Sequence, residues 1–182
     1  MEASDHPMVS AASARISQKA DKEFSGVLSS AQSNTHFLDS AILRKSLEGN
    51  GENSFSFADL KTEDERITVY LVLPLDRLPT FNRWLRLLVT SAMIDLTRAP
   101  VDINKPPVRM ILDEFAALDK MPIIEKAYGT MAGLGVQLWV FTQDLGQLMK
   151  LYGDKSWQTF VSNAGVFQYF GSRDYETAKY AE

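Results

Sequence analysis

Two adjacent carboxylates, Asp113 and Glu114, follow directly on an apolar run, Val108-Arg109-Met110-Ile111-Leu112. A buried strand ending in such a pair holds both groups at the rim of a sheet. There the first can keep a water of a Mg²⁺ shell, because hard cations take oxygen ligands. The second can polarise or deprotonate a water that attacks a γ-phosphate. This is the form of a Walker B segment; the same residues also suit a plain strand end leading into a helix cap. A third group comes from the next apolar run, residues 137–142, which leads into Gln143-Asp144. An amide at the tip of a neighbouring strand reaches the same crevice and can orient the attacking water or sense the phosphate. Its plainer role is to satisfy a loop carbonyl in a turn.

A nucleotide site also needs a phosphate cradle, and the pattern G-x-x-x-x-G-K-[ST] does not occur. The cluster Gly129-Thr130-Met131-Ala132-Gly133-Leu134-Gly135 lacks the lysine and reads as a helix C-cap turning into the next strand. The chain therefore holds at most the hydrolytic half of a nucleotide site. Other chemistries are closed to it. There is no cysteine, and the two histidines, His6 and His36, are too few and too isolated for a histidine-based metal site. With 19 Lys+Arg against 23 Asp+Glu the net charge is -4, so no overall basic footprint for nucleic acid exists. Arg83, Arg86 and Arg98 fall along one helical stretch and Arg15, Lys19 and Lys22 along another, but neither cluster is dense, and no DNA-contacting residue is named.

The elements that must position these groups alternate. Residues 67–73, 108–112, 137–142 and 166–170 are β-branched and aromatic runs bounded by Pro74, Pro106-Pro107, Gly135, Gly165 and Gly171. The first three are apolar nearly throughout, as strands buried on both faces must be. Between them lie helical stripes: Phe81, Trp84, Leu85, Leu88, Ala92 and Leu96, then Ile123, Ile124, Ala127, Tyr128, Met131 and Leu134. Strand, helix, strand, helix, strand predicts an α/β fold with a mostly parallel sheet, and ligands in such a sheet bind beyond the carboxyl ends of the strands. Upstream, Val9, Ala12, Ile16, Ala20, Phe24, Val27 and Ala31 lay a thin stripe along one helix, and Phe37, Leu38, Ile42, Leu43 and Leu47 lay another. A turn with a boundary is expected at residues 48–53, where Gly49, Asn50, Gly51 and Asn53 supply positive φ cheaply. No apolar run approaches the roughly 18 residues that cross a bilayer, and the chain reads as soluble.

Taken together, Ile111-Leu112-Asp113-Glu114-Phe115-Ala116-Ala117-Leu118-Asp119-Lys120-Met121-Pro122, Met131-Ala132-Gly133-Leu134-Gly135-Val136, Thr142-Gln143-Asp144-Leu145-Gly146-Gln147-Leu148 and Tyr152-Gly153 resemble the TraG group of type IV secretion coupling proteins. The likeness continues through Trp157, Phe160, Asn163-Ala164 and Tyr175-Glu176-Thr177-Ala178, and upstream through residues 54–60 and 70–74. The resemblance implies a RecA/FtsK-like P-loop NTPase fold, of which residues 36–182 are a part carrying Walker B, with residues 1–35 the end of an inserted all-α domain. It also implies ATP and Mg²⁺ as cofactors of the complete protein. Asp113 then holds the ion through water, Glu114 completes the Walker B pair, and Gln143 is the glutamine after the next strand. Proteins of this group are homo-hexameric motors anchored at the cytoplasmic face of the bacterial inner membrane. They deliver a relaxase–DNA complex or secreted effector proteins to inner-membrane components of the secretion channel. The family's P-loop and transmembrane segment lie upstream of the matching region, and its last helix continues further, so the chain is expected to be a fragment inactive alone. Some relatives carry a trans-acting arginine before the glutamine strand; residues 131–136 contain none. The alternative is a catalytically inert module that binds substrates or subunits through the stripe at 9–31.

Overall fold

A computed structural model describes residues 6–17, 21–48, 55–171 and 174–181. The chain divides into two compact units, residues 1–52 and 53–182. The turn expected at 48–53 lies outside the described residues except for Glu48.

In the first unit α1 spans Pro7–Ser17 and α2 spans Asp21–Thr35, where one helix through 9–31 was expected; the residues between them are outside the described set. The stripe is not buried. Val9, Phe24 and Val27 are exposed and Ile16 is half-buried, so these residues form no core; Ala20 of the stripe lies outside the described residues. A 3₁₀ turn, His36–Asp39, buries Phe37, and α3, Ala41–Leu47, buries Leu43. Ser40 separates the two as an N-cap, its hydroxyl accepting from the Leu43 N–H at 3.5 Å.

The second unit carries the chemistry. A short helix, α4 (Asp59–Thr62), precedes α5 (Leu78–Arg98), which starts with Pro79 in its first turn, where a missing N–H costs nothing. Lys61 closes the far end of α5 by donating to the carbonyls of Leu96 and Ala99. The face of α5 made by Leu85, Val89, Met93 and Leu96 is buried, with Leu96 fully inaccessible. Each such side chain contributes roughly 2 kcal/mol by leaving water.

The sheet has two strands, β1 (Val108–Leu112) and β2 (Val136–Val140), paired in parallel with Leu112 opposite Val140. Between them run a 3₁₀ turn, Phe115–Leu118, then α6, Pro122–Ala127, and a second 3₁₀ turn, Met131–Leu134. The continuous helix expected over 123–134 is thus broken at residues 128–130, where Gly129 and Thr130 weaken a helix. Gly135 closes the segment at φ 69°, a left-handed position that suits glycine. After β2 come α7 (Leu145–Ser156), α8 (Gln158–Ser162) and α9 (Tyr175–Ala181). Leu145, Leu148, Tyr152, Trp157 and Phe160 complete the core around Phe115.

The α/β reading and the parallel pairing agree with expectation, and two further expectations need correction. Residues 67–73 and 166–170 form no strands. Tyr70, Val72, Val166 and Phe170 are between 77% and 84% exposed, and neither run pairs with a neighbouring strand. Strand propensity measures fit to a half-buried pleated surface, and without that surface the pattern alone does not make a ladder. The paired strands are also not buried on both faces. Leu112 and Val136 point inward and are buried, whereas Ile111 and Trp139 on the opposite face are 58% and 45% exposed. Arg109 lies over the Trp139 ring at 4.5 Å on that open face. No described helix is long and apolar enough to cross a membrane.

Candidate functional site at the carboxyl ends of the two strands

The position of Asp113 and Glu114 follows from the burial of their neighbours. Leu112 ends β1 facing the core, and Phe115 is fully buried, with Tyr152 and Phe160 rings 6.0 and 5.6 Å from its own. Two inward anchors three residues apart force the intervening pair out towards solvent, where both carboxylates are exposed. The reversal is sharp. Glu114 adopts φ 46°, ψ 48°, a left-handed conformation uncommon for a residue with a Cβ. Its amide donates to Asp113 Oδ1 at 3.1 Å, and its carbonyl accepts from Ala117 N at 2.8 Å, which starts the following turn.

The strand pairing brings Gln143 to the same place. The ladder runs past its formal end, with Phe141 N donating to the Leu112 carbonyl and Phe115 N donating to the Phe141 carbonyl, both at 3.0 Å. Two residues later the Gln143 side-chain amide donates to Glu114 Oε1 and Oε2 at 3.4 and 3.3 Å. The three residues singled out in the sequence therefore form one cluster, Glu114 and Gln143 in direct contact and Asp113 adjacent through the backbone. All three are exposed, and packed hydrocarbon does not fill the space between them.

Behind Gln143 the start of α7 is capped from both directions. The Asp144 carboxylate accepts from Gln147 N at 2.8 Å, and the Gln147 side chain accepts from Gln143 N at 3.3 Å. This is close to a capping box, and the spacing Asp144-x-x-Gln147 is a signal visible in the sequence. The other supports were missed. Arg86 on α5 donates to the carbonyls of Leu118 and Lys120, and Asn82 donates to Asp119 Oδ2 at 2.9 Å, so α5 holds the loop that follows the carboxylate pair. Arg86, considered as part of a basic stripe, is spent on that loop. Asp119 also has positive φ, 56°. Tyr152 accepts the Met121 N–H at 3.1 Å on its phenol oxygen, and burial pushes that phenol above its ordinary range.

Chemically the cluster offers two carboxylates and one neutral donor. Among the described residues no group of three or more His, Asp or Glu stands ready to hold a metal by protein ligands alone. Any cation met here must bring most of its own shell.

The chain matches the family described as type IV secretory system conjugative DNA transfer over residues 1–182. It is 33% identical to protein VirD4 of Agrobacterium fabrum over 129 residues, 70% of this chain and 19% of that protein. It is 27% identical to the type IV secretion system-coupling protein VirD4 of Bartonella quintana over 164 residues, 90% of this chain and 25% of the relative. The conjugal transfer protein TraG of Escherichia coli is 26% identical over 188 residues, 97% of this chain and 28% of its own length. The chain thus spans between 19% and 28% of the length of these curated relatives. No solved structure is significantly similar to it. The chain belongs to the type IV secretion coupling proteins of conjugative DNA transfer, the TraG/VirD4 family.

Proposed function

We propose that this chain is the hydrolytic half of the ATP-driven motor domain of a coupling protein, with Asp113, Glu114 and Gln143 as its reacting edge. The observation that carries the reading is the contact of the Gln143 amide with the Glu114 carboxylate beyond two parallel strands. In this reading Glu114 takes the proton of the attacking water, and Gln143, whose amide touches the same carboxylate, orients that water. Asp113 suits Mg²⁺ held through water, since that ion dehydrates reluctantly and keeps several waters beside one or two carboxylates. A sparse pair of exposed oxygen donors fits such an ion better than one needing a full protein cage. When bound with ATP, the ion would supply charge neutralisation on the nucleotide's phosphates. The phosphate cradle, a RecA-like completion of the sheet and assembly as a homo-hexamer belong to the same proposal. So do attachment at the inner membrane and delivery of relaxase–DNA or effector proteins to the secretion channel.

The test is Glu114→Gln in a complete coupling protein bearing this segment. Removing a general base lowers turnover by about 10²–10⁴-fold, while ATP binding, measured by equilibrium titration, stays intact. Unchanged turnover removes Glu114 from that role.

A second reading is favoured by the exposure of Val9, Phe24 and Val27 along α1 and α2. These residues would make a contact for a substrate or subunit independent of catalysis. Partner binding that survives Asp113→Ala and is lost with Phe24→Ala would support it.

A further inference from the structure

The Leu145 residue that opens α7 is buried, and its N–H is one of the helix-terminal donors that the helix itself cannot satisfy. It is satisfied from 32 residues away. Thr177 Oγ1, on α9, accepts it at 2.9 Å. Thr177 is one of the few buried polar side chains, at 5% exposure. Its hydroxyl has a defined direction: Asp174 Oδ2 lies 2.7 Å from Oγ1 and also accepts the Thr177 N–H at 2.8 Å. A carboxylate only accepts, so the hydroxyl proton goes to Asp174 and the lone pair is left for Leu145.

Leu145 is two residues from Gln143. The intervening Asp144 and the following Gln147 tie the same turn to the Gln143 backbone. The far end of α9 is fixed as well, since the Tyr180 ring meets Trp157 edge-on at 5.7 Å. Helix α9 is therefore clamped at both ends, and its inner clamp acts on the turn that aims Gln143.

We propose that Thr177, its hydroxyl oriented by Asp174, is a positioning residue for Gln143 that holds the first turn of α7 so that the Gln143 amide stays on Glu114. This deepens the hydrolytic reading and rests on it for any effect on turnover, while the geometric claim is measurable without nucleotide. Losing the hydroxyl leaves a buried N–H that must find water, and the turn shifts outward to let it.

The experiment is a spectroscopic cycle on the ¹⁵N-labelled 182-residue chain. In the wild type, Glu114→Gln displaces the Gln143 side-chain amide resonance, because the carboxylate it faces has become neutral. In a Thr177→Val background the same substitution should displace it far less, since the equilibrium for the docked amide falls about fivefold, the factor one net hydrogen bond carries. Thr177→Ser keeps the hydroxyl and should restore the displacement. If Thr177→Val does not fold, Asp174→Ala takes its place, because it spares the hydroxyl and removes the acceptor that orients it. An equal displacement in the wild type and in Thr177→Val or Asp174→Ala overturns the proposal, as does a serine variant that behaves like valine. In a complete coupling protein, Thr177→Val should lower kcat with KM for ATP unchanged. Should Glu114→Gln leave turnover intact there, the hydrolytic reading fails and the cycle still decides the role of Thr177. Should that variant abolish turnover while the cycle is flat, only the role of Thr177 fails.

Discussion

The side-chain amide of Gln143 donates to both carboxylate oxygens of Glu114, at 3.4 Å to Oε1 and 3.3 Å to Oε2. The bonds are long and solvent-exposed, so they add little to stability; what they record is alignment. Gln143→Ala should leave the thermal midpoint of the chain within the shift that about 0.5 kcal/mol produces. In a complete coupling protein it should lower kcat for ATP hydrolysis by about 10²-fold, the loss typical for removing one aligned donor. The pair of measurements separates the roles: a variant that melts early and hydrolyses normally would make Gln143 a turn residue.

Glu114 sits at φ 46°, where a side chain costs strain that the anchors Leu112 and Phe115 impose. Strain of this kind is about 1–3 kcal/mol, and glycine relieves it at an unfolded-state entropy cost of about 0.5–1 kcal/mol. Glu114→Gly should therefore raise stability by roughly 1 kcal/mol in chemical denaturation, against the usual sign for a glycine substitution, while removing hydrolysis in the complete protein. A glycine variant less stable than Glu114→Ala would show that the turn is unstrained.

Tyr152 joins the core to the loop after the carboxylates. Its oxygen accepts the Met121 N–H, and Met121 is itself buried. Tyr152→Phe keeps the stack on Phe115 but leaves that donor unpaired, costing about 1–3 kcal/mol. The phenol also sets a pH dependence. Burial raises its pKa, and that of Tyr128, above the ordinary tyrosine value. A raised folded-state value means the unfolded chain loses its proton first as pH climbs. The stabilisation is thus full below the ordinary tyrosine range, near pH 10, and is lost as pH rises from there through the folded value. Denaturation midpoints followed upward from neutral pH should fall in that window, and the fall should shrink in Tyr152→Phe.

Much of the site was legible because its geometry is local to two strands. The apolar runs before Asp113 and Gln143 pair in parallel, and Leu112 opposite Val140 puts the residues after each strand at one rim. Once those two runs are read as neighbours, the carboxylate pair and the amide must meet. The runs at 67–73 and 166–170 have the same texture and form no ladder, because pairing depends on a neighbour that composition does not reveal. The open face bearing Ile111 and Trp139 was hidden for a related reason: an apolar residue in a strand shows what it would bury, not whether a layer is there to bury it. The helix expected over 123–134 broke at Gly129-Thr130, where propensity outweighed a periodic stripe. Arg86 and Thr177 act across 32 residues each, and no local pattern announces a guanidinium on a distant carbonyl.

Arg86 gives the most direct test of how the loop behind the site is held. Its guanidinium donates from Nη1 to the Leu118 carbonyl and from Nη2 to the Lys120 carbonyl, the latter at 3.0 Å. A planar fork reaches both acceptors at once, which a point-charge ammonium on a flexible stem cannot do. Arg86→Lys should therefore keep about one of the two bonds and cost about 1 kcal/mol, and Arg86→Met, which keeps the stem, should lose both and cost about 2–3 kcal/mol. Denaturant titration of the chain checks both values. The loop they release begins one residue after Glu114, so in a complete coupling protein the same order, wild type above lysine above methionine, should appear in kcat. If lysine and methionine prove equally stable, the fork is ornamental and α5 positions the loop through Asn82 and packing alone.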